Sequence, residues 1–397
     1  MRALLLVLDS VGIGGAADAA QYGDEGANTL GHVLESVPDL RLPNLESLGL
    51  GAILSTGRSY GSYSTCKASY GRIQERSPGK DTTTGHWELA GVVLEKPFAT
   101  FERFPDELVE AIERDAGVHF IGNYAQSGTT ILAELGAEHV RTGKPILYTS
   151  ADSVLQIAAH EQVLPIDRLY EICATARRHA DRFRIGRVIA RPFAGDDGNF
   201  ARTSRRHDFS IEPPPTILNA IVANGHTVTG VGKISDIFAG QGITESFPTA
   251  SNREGMERIS ERWAKVENGL IFANLVDFDM LYGHRRDLSG YANALAEFDD
   301  WLGRFIPDVN ASDLVVITAD HGNDPTFRGS DHTREQVPLF VLHEHAVQSL
   351  GTRETFADVA ATLGDYFELT RPWAGGRSFL PKNKTKGPAT AGAGTAK

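Results

Sequence analysis

Apolar residues run continuously, rather than alternating, through 3–8, 270–276 and 314–317. Such runs predict strands buried on both faces, as in a parallel sheet covered by helices. Further strands are predicted at 146–149, 187–190, 227–231 and 337–342, and alternation over 60–75 predicts a strand or hairpin. Helical patterns occupy 28–50 with its connection, 85–90, 105–116, 167–180, 216–223, 253–266, 291–305 and 355–366. Strands and helices alternate on both sides of a central segment with a different character. The fold class expected is therefore α/β. Residues 1–95 and 213–381 form a mostly parallel sheet core, and 96–212 form an inserted, smaller α/β cap that ends at Pro213-Pro214-Pro215. Residues 382–397 lack core-forming side chains and are expected to be a disordered tail.

The polar residues that follow the apolar runs change the picture from fold to chemistry. Residues 3–8 end at Asp9, 270–276 at Asp277 and Asp279, and 314–317 at Asp320 and His321. In an open parallel sheet these ends share one edge, the edge where such sheets bind ligands. His284 and His332 are close in sequence to the second and third of these ends. Asp and His together are oxygen and nitrogen ligands for divalent metals. Each histidine alone is more simply a structural residue. The conjunction of three strand-end carboxylates with three histidines points to a metal site, with enough ligands for two ions. His343 and His345 flank Glu344 at another strand end, but no partner ligand suggests itself, and a polar strand end is the simpler reading.

Composition narrows the partners. The 397-residue chain carries a formal charge of −12, which argues against nucleic acid or an anionic membrane as partner. Its two cysteines, Cys66 and Cys173, can form neither a zinc ribbon nor a disulfide framework, so a cytoplasmic enzyme is expected. The first apolar run is too short for a signal peptide or a membrane span. The patterns at Asn310 and Asn383 read as chance matches to the glycosylation motif. Within this acidic chain, nine arginines against three aspartates lie between Arg177 and Arg206. Such a concentration is either a solvated basic face or a clamp for phosphate. A hydroxyl-rich turn, Asp81-Thr82-Thr83-Thr84, precedes the helix predicted at 85–90, and a helix N-terminus favours phosphate as well as hydroxyl caps. Spacing does not rank the three threonines. A hydroxyl beside a metal site suggests a metal-activated nucleophile for phosphoryl transfer.

These segments resemble the phosphopentomutase family of the alkaline phosphatase superfamily. The matching stretches are Leu8 to Gly14, Gly23 to His32, Gly79 to Glu88, Tyr148 to Glu161, Gly186 to Phe193, Gly232 to Ile237, Val276 to Asp279, Tyr282 to Arg286 and Thr318 to Pro325. The resemblance covers all but the tail, and its cap motifs are specific to the mutase. It implies reversible interconversion of ribose 1-phosphate and ribose 5-phosphate, and of the deoxyribose pair, linking nucleoside salvage to the pentose phosphate pathway. It implies that Thr82 is the phosphorylated nucleophile. Asp9, Asp320 and His321 would hold one manganese with Thr82, and Asp279, His284 and His332 the other. Other divalent ions fit the same ligands. Ser150 and Asp152 would contact the sugar. Arg187, Arg202 and Lys233 would contact the distal phosphate, and a sugar bisphosphate would be the activator. Pentose phosphates are the expected partners, with no nucleic acid or membrane. Oligomeric state stays open, a monomer being slightly favoured. A metallophosphatase or sulfatase, a cofactor-independent phosphoglycerate mutase and a non-catalytic phosphate-binding protein are the rival readings.

Overall fold

A computed structural model describes residues 1–54, 66–150, 153–369 and 375–381. Asp152, the early part of the predicted 60–75 strand and the predicted tail lie outside the described residues. In chain order the strands are β1 (Arg2–Leu8), β2 (Ser69–Ile73), β3 (Ile121–Ala125), β4 (Ile146–Thr149), β5 (Val154–His160), β6 (Arg187–Ala194), β7 (Ala201–Arg202), β8 (His207–Ser210), β9 (Thr227–Val231), β10 (Glu245–Phe247), β11 (Gly269–Leu275), β12 (Leu314–Thr318), β13 (Val337–Leu342) and β14 (Ser349–Arg353).

An eight-stranded sheet has the order β10-β9-β11-β1-β12-β13-β2-β14. Its first five strands are mutually parallel, and β1 lies between β11 and β12, with Leu6 opposite Ala273 on one side and Ile317 on the other. All three central strands are buried along nearly their whole length. This is what unbroken apolar runs produce when helices cover both faces of a sheet. The far side is not parallel: β13 pairs antiparallel with both β12 and β2. That reversal carries His343, just past β13, to the edge opposite the ends of β1, β11 and β12. There its Nδ1 meets the Asp313 carbonyl oxygen at 3.0 Å.

The second sheet has the order β3-β4-β5-β6-β7, with β8 also paired to β6. On one face, Leu147, Leu155, Ile157, Val188 and Ala190 pack in a core with the helices Asp106–Ala116 and Ile166–Ala180. On the other, register sets Tyr148, Gln156, Ile189 and Asp208 in one cross-strand row, with Arg187 and Arg191 one step to either side. The arginine concentration is therefore partly a property of one sheet face.

The helix predicted at 85–90 begins earlier, at Thr82, and runs to Leu89. Three β-branched threonines are poor helix formers. Asp81 overrides that preference as N-cap: its carboxylate accepts from the Thr84 amide at 3.0 Å and from the Thr84 hydroxyl at 2.5 Å. Thr82 thus occupies the first helical turn.

The sheet's stability rests on β1. Leu5, fully buried between two neighbouring strands, has no room to relax. Leu5→Ala is expected to cost about 3 kcal/mol in denaturant unfolding, within the usual range for a large-to-small core change. A loss under about 1 kcal/mol would contradict the buried central placement.

Candidate metal centre

Three adjacent parallel strands end at one place, and the chain then does something different after each. After β1, Asp9 and Ser10 turn sharply. Ser10 is buried with φ 71°, a left-handed conformation unusual for a residue with a side chain. The turn aims the Ser10 amide at Asp320 Oδ1, 3.1 Å away. After β11 the chain makes a π-helical turn, Phe278–Gly283, with Asp279 near its start and His284 just past its end. After β12 come Asp320 and His321, and a loop that returns through paired bonds between Gly322 and Thr333. That return stacks the His332 ring on His321, with centroids 4.0 Å apart.

Two groups of donors result. Asp9, Asp320 and His321 form one, and Asp279, His321 and His332 the other, each with its donor atoms mutually within 4.8 Å. In the first, His321 Nε2 lies 3.5 Å from Asp9 Oδ1 and 3.3 Å from Asp320 Oδ2. The Thr82 hydroxyl is 3.2 Å from the same nitrogen. In the second, Asp279 lies 3.4 Å from His332 Nε2; His284, outside the group as drawn, stands beside it with Nε2 3.2 Å from Asp279 and 3.1 Å from His332 Nε2. Asp277, the alternative at the same strand end, bonds instead to both the amide and the side chain of Asn252.

The electrostatics of the first group call for a cation. Burial, then Asp320 and Asp279, push the Asp9 carboxyl well above the usual carboxylate range. Burial also works against ionised Asp320 and Asp279, but there imidazoles prevail. His321 and His86 hold Asp320 low, and His332 with His284 hold Asp279 well below its ordinary value. Asp9 Oδ1 is buried without a hydrogen-bond partner, and buried Asp320 Oδ2 faces two imidazole nitrogens, 3.1 Å from His86 Nδ1 and 3.3 Å from His321 Nε2, neither in hydrogen-bonding geometry. Buried carboxylate oxygens are normally satisfied. These two, with His321 Nε2 beside them, fit a divalent ion, which would supply both the missing partner and the missing charge.

Several residues that shape the site gave no signal that was read in the sequence. Asn274 is the one polar side chain in the apolar run of β11. Its amide reaches Asp9 Oδ2 at 3.4 Å, and its oxygen accepts from the Lys233 amide at 2.9 Å. A lone amide in a buried strand must be bonded, and that rule was the available clue. Glu335 accepts from the amides of Gly14 and Thr29 and the hydroxyls of Thr29 and Thr333. A Cβ on Gly12 or Gly322 would fall 2.4 or 2.2 Å from this carboxylate, which explains both glycines. Arg334, 1% exposed, donates to Asp18, to Glu75 and to the carbonyl oxygens of Ser77 and Gly79. It therefore ties the loop that carries His332 to the loop that leads into Thr82.

The remaining sequence-predicted residues sit outside the donor cluster. Lys233 Nζ is 3.8 Å from Met280 Sδ, and its charge helps to lower Asp9. Ser150 is half-buried just past β4. Arg187 pairs with Asp208 at 3.6 Å. The Arg202 guanidinium and the Tyr148 hydroxyl both crowd Gly128. Arg191, not singled out from the sequence, donates from Nε to Gln156 at 3.0 Å. Burial first, and then Arg206 and Arg202, lower its pKa, so this face concentrates positive charge in a partly desolvated place.

The sequence profile of the Metalloenzyme superfamily matches residues 1–371. The chain belongs to that superfamily, in keeping with buried donors suited to a divalent metal. A phosphopentomutase of Syntrophotalea carbinolica is 55% identical over 373 residues, covering 93% of this chain and 95% of the relative. One from Acetivibrio thermocellus is 52% identical over 385 residues, covering 96% and 98%. The chain thus belongs, within the superfamily, to the phosphopentomutase family and is an enzyme of the mutase type. A solved phosphoglycerate mutase of Leishmania mexicana, at 13% identity and a TM-score of 0.48, covers 95% of this chain and 97% of its own; that likeness is too distant to bear on function. Among the described residues no helix is long and apolar enough to cross a membrane.

A divalent ion is expected to stabilise the fold. Mn²⁺ at a hundredfold excess over its Kd adds about 2.7 kcal/mol by mass action. The melting temperature should rise with Mn²⁺ and fall again with chelator, and Asp320→Asn should lose most of the rise. A melting temperature unmoved by Mn²⁺, Zn²⁺ and Co²⁺ would contradict the site.

Proposed function

We propose that this phosphopentomutase homologue works through Thr82 as a phosphorylated nucleophile beside two divalent ions. It would interconvert the 1- and 5-phosphates of ribose and deoxyribose. The observation that carries the reading is the placement of the Thr82 hydroxyl 3.2 Å from His321 Nε2, in the first turn of a helix and at the edge of a buried donor set short of positive charge. Family membership supplies the reaction class, and the position of Thr82 beside His321 supports its reading as the nucleophile.

Asp9, Asp320 and His321 are assigned to the ion next to Thr82, and Asp279, His284 and His332 to its neighbour. Manganese is the proposed metal. Bound divalent ions lower the pKa of a nearby hydroxyl and offset charge on a transferring phosphoryl group. The helix N-terminus that carries Thr82 adds amide dipoles to the same end.

Residues 96–212 are assigned as the cap and the rest as the core. In the cycle, phospho-Thr82 gives its phosphoryl group to the free hydroxyl of a pentose monophosphate. The Thr82 oxygen–phosphorus bond breaks as the sugar oxygen–phosphorus bond forms. The bisphosphate then returns its other phosphoryl group to Thr82, so the count of phosphoryl groups is conserved. A sugar bisphosphate would therefore prime the enzyme. Ser150 and Asp152 are assigned to the sugar, and Arg187, Arg202 and Lys233 to whichever phosphate is not reacting. The charge concentrated on the Arg191 face supports an anion there. The cap must also exclude water, because water attacking phospho-Thr82 would turn the mutase into a phosphatase. Pentose phosphates would link the enzyme to nucleoside salvage in the cytoplasm.

With Mn²⁺ and a sugar bisphosphate primer, ribose 1-phosphate should be converted to ribose 5-phosphate, and Thr82→Ala should lower turnover by at least about 10³-fold. Free phosphate appearing faster than ribose 5-phosphate would overturn the mutase reading. His332→Ala should weaken one ion's binding while the other stays partly bound, as isothermal titration with Mn²⁺ would show. Equal loss of both would overturn the division of ligands.

A further inference from the structure

His86 lies one helical turn beyond Thr82 and is fully buried. Its Nδ1 hydrogen-bonds the Thr82 carbonyl oxygen at 2.9 Å, and since a carbonyl only accepts, this nitrogen carries the hydrogen. The same nitrogen lies 3.1 Å from Asp320 Oδ2, the carboxylate oxygen that also faces His321. One imidazole thus stands between the main chain of Thr82 and a carboxylate of the donor cluster. The ring's face lies over Phe272 of β11, with centroids 5.8 Å apart and planes at 23°. Its Nε2 is buried without a hydrogen-bond partner. Nothing else bonded to the ring, then, accounts for a histidine rather than a phenylalanine here. The polar work is done at Nδ1 alone.

Gly85 makes the approach possible. A Cβ there would fall 2.3 Å from the Asp320 carbonyl oxygen and 2.9 Å from its Cβ, so only glycine lets the helix press against the end of β12. Gly85 sets the closeness of the helix, and His86 sets its register against Asp320.

We propose that His86 is a positioning residue. Its Nδ1–H holds the Thr82 carbonyl oxygen while the edge of the ring packs 3.1 Å from the Asp320 carboxylate, and together these fix the Thr82 hydroxyl relative to the donor cluster. The inference rests on the assignment of Thr82 and Asp320 made above and extends it to a residue that touches neither substrate nor ion. Phosphoryl transfer depends on placement, and a displacement of about 1 Å at a reacting atom can cost about 10²-fold in rate. Groups that orient metal ligands typically contribute about 10- to 100-fold in metal affinity or activity.

The test compares three substitutions in the full-length chain. His86→Phe keeps the ring stack and loses Nδ1. His86→Gln places an amide near the position of Nε2. His86→Asn places an amide near the position of Nδ1. Mn²⁺ binding by isothermal titration should show one of two sites weakened about 10- to 100-fold in the Phe and Gln variants and the other unchanged. Their rate of Thr82 phosphorylation by a sugar bisphosphate should fall by a similar factor. The Asn variant should return both to within a few-fold of native. A generally loosened fold would weaken both sites together and would not be rescued by Asn. If the Phe variant fails to fold, the contrast between Gln and Asn decides alone. Phe and Gln variants that match native in ion binding and phosphorylation, or an Asn variant as impaired as Gln, overturn the inference while the proposed function stands. A native chain that takes up neither Mn²⁺ nor phosphate overturns both.

Discussion

Three carboxylates are buried where three neighbouring strands end, and much of the structure around them answers that crowding. An ionised carboxylate without a counter-charge is costly to bury. Asp279 is answered by two imidazoles and the Asn323 amide, and Asp320 by the Ser10 amide and two further imidazoles. Asp9 has the Asn274 amide at 3.4 Å and the His321 ring at 3.5 Å, and burial with the neighbouring carboxylates still pushes it well above the usual carboxylate range. The strained turn at Ser10, the π-helical turn before His284 and the returned loop that brings His332 onto His321 are ways of delivering partners to these three positions. So are Gly12 and Gly322, which make room for Glu335, and Gly85, which makes room for Asp320.

The central sheet was legible because burial on both faces leaves a plain mark, an apolar run that stops at a charge. Strands β1, β9, β12 and β13 fall where that pattern puts them, and the parallel order β11-β1-β12 brings Asp9, Asp279 and Asp320 together as strand-end reasoning requires. Boundaries failed where a cap overrode intrinsic preference: Asp81 starts its helix across three threonines that favour extended backbone. The helix Gly128–Thr142 and strands β3, β5, β7, β8, β10 and β14 were not anticipated. Their sequences are short, mixed or exposed, and their pairing is set by neighbours distant in the chain. Of the side chains around these carboxylates, Asn274, a lone amide in a buried run, left the one mark in the sequence. Asn274, His86, Glu335 and Arg334 act through contacts whose partners lie far away in sequence or one helical turn off, and no local spacing encodes those.

The second sheet answers the opposite problem. One of its faces gathers Arg187 and Arg191 by register, and burial, with Arg206 and Arg202 nearby, depresses the Arg191 guanidinium. Across from it, Asp236 lies within electrostatic reach of Asp208, His207 and Arg206. Under the proposed function, the acidic centre would serve the reacting phosphate and the basic face, where Asp208 already pairs Arg187 and Arg206, the other one. In the proposed cycle, such a division would let one scaffold handle either phosphate of a bisphosphate without rebuilding the reacting centre.

The proposal that the crowded carboxylates form a two-ion site turns on where metal binds. Anomalous diffraction at the manganese edge, from crystals grown with Mn²⁺, tests it most directly. Two peaks are expected, one among Asp9, Asp320 and His321 and the other among Asp279, His284 and His332. A single peak, or manganese bound elsewhere with these side chains empty, would contradict it.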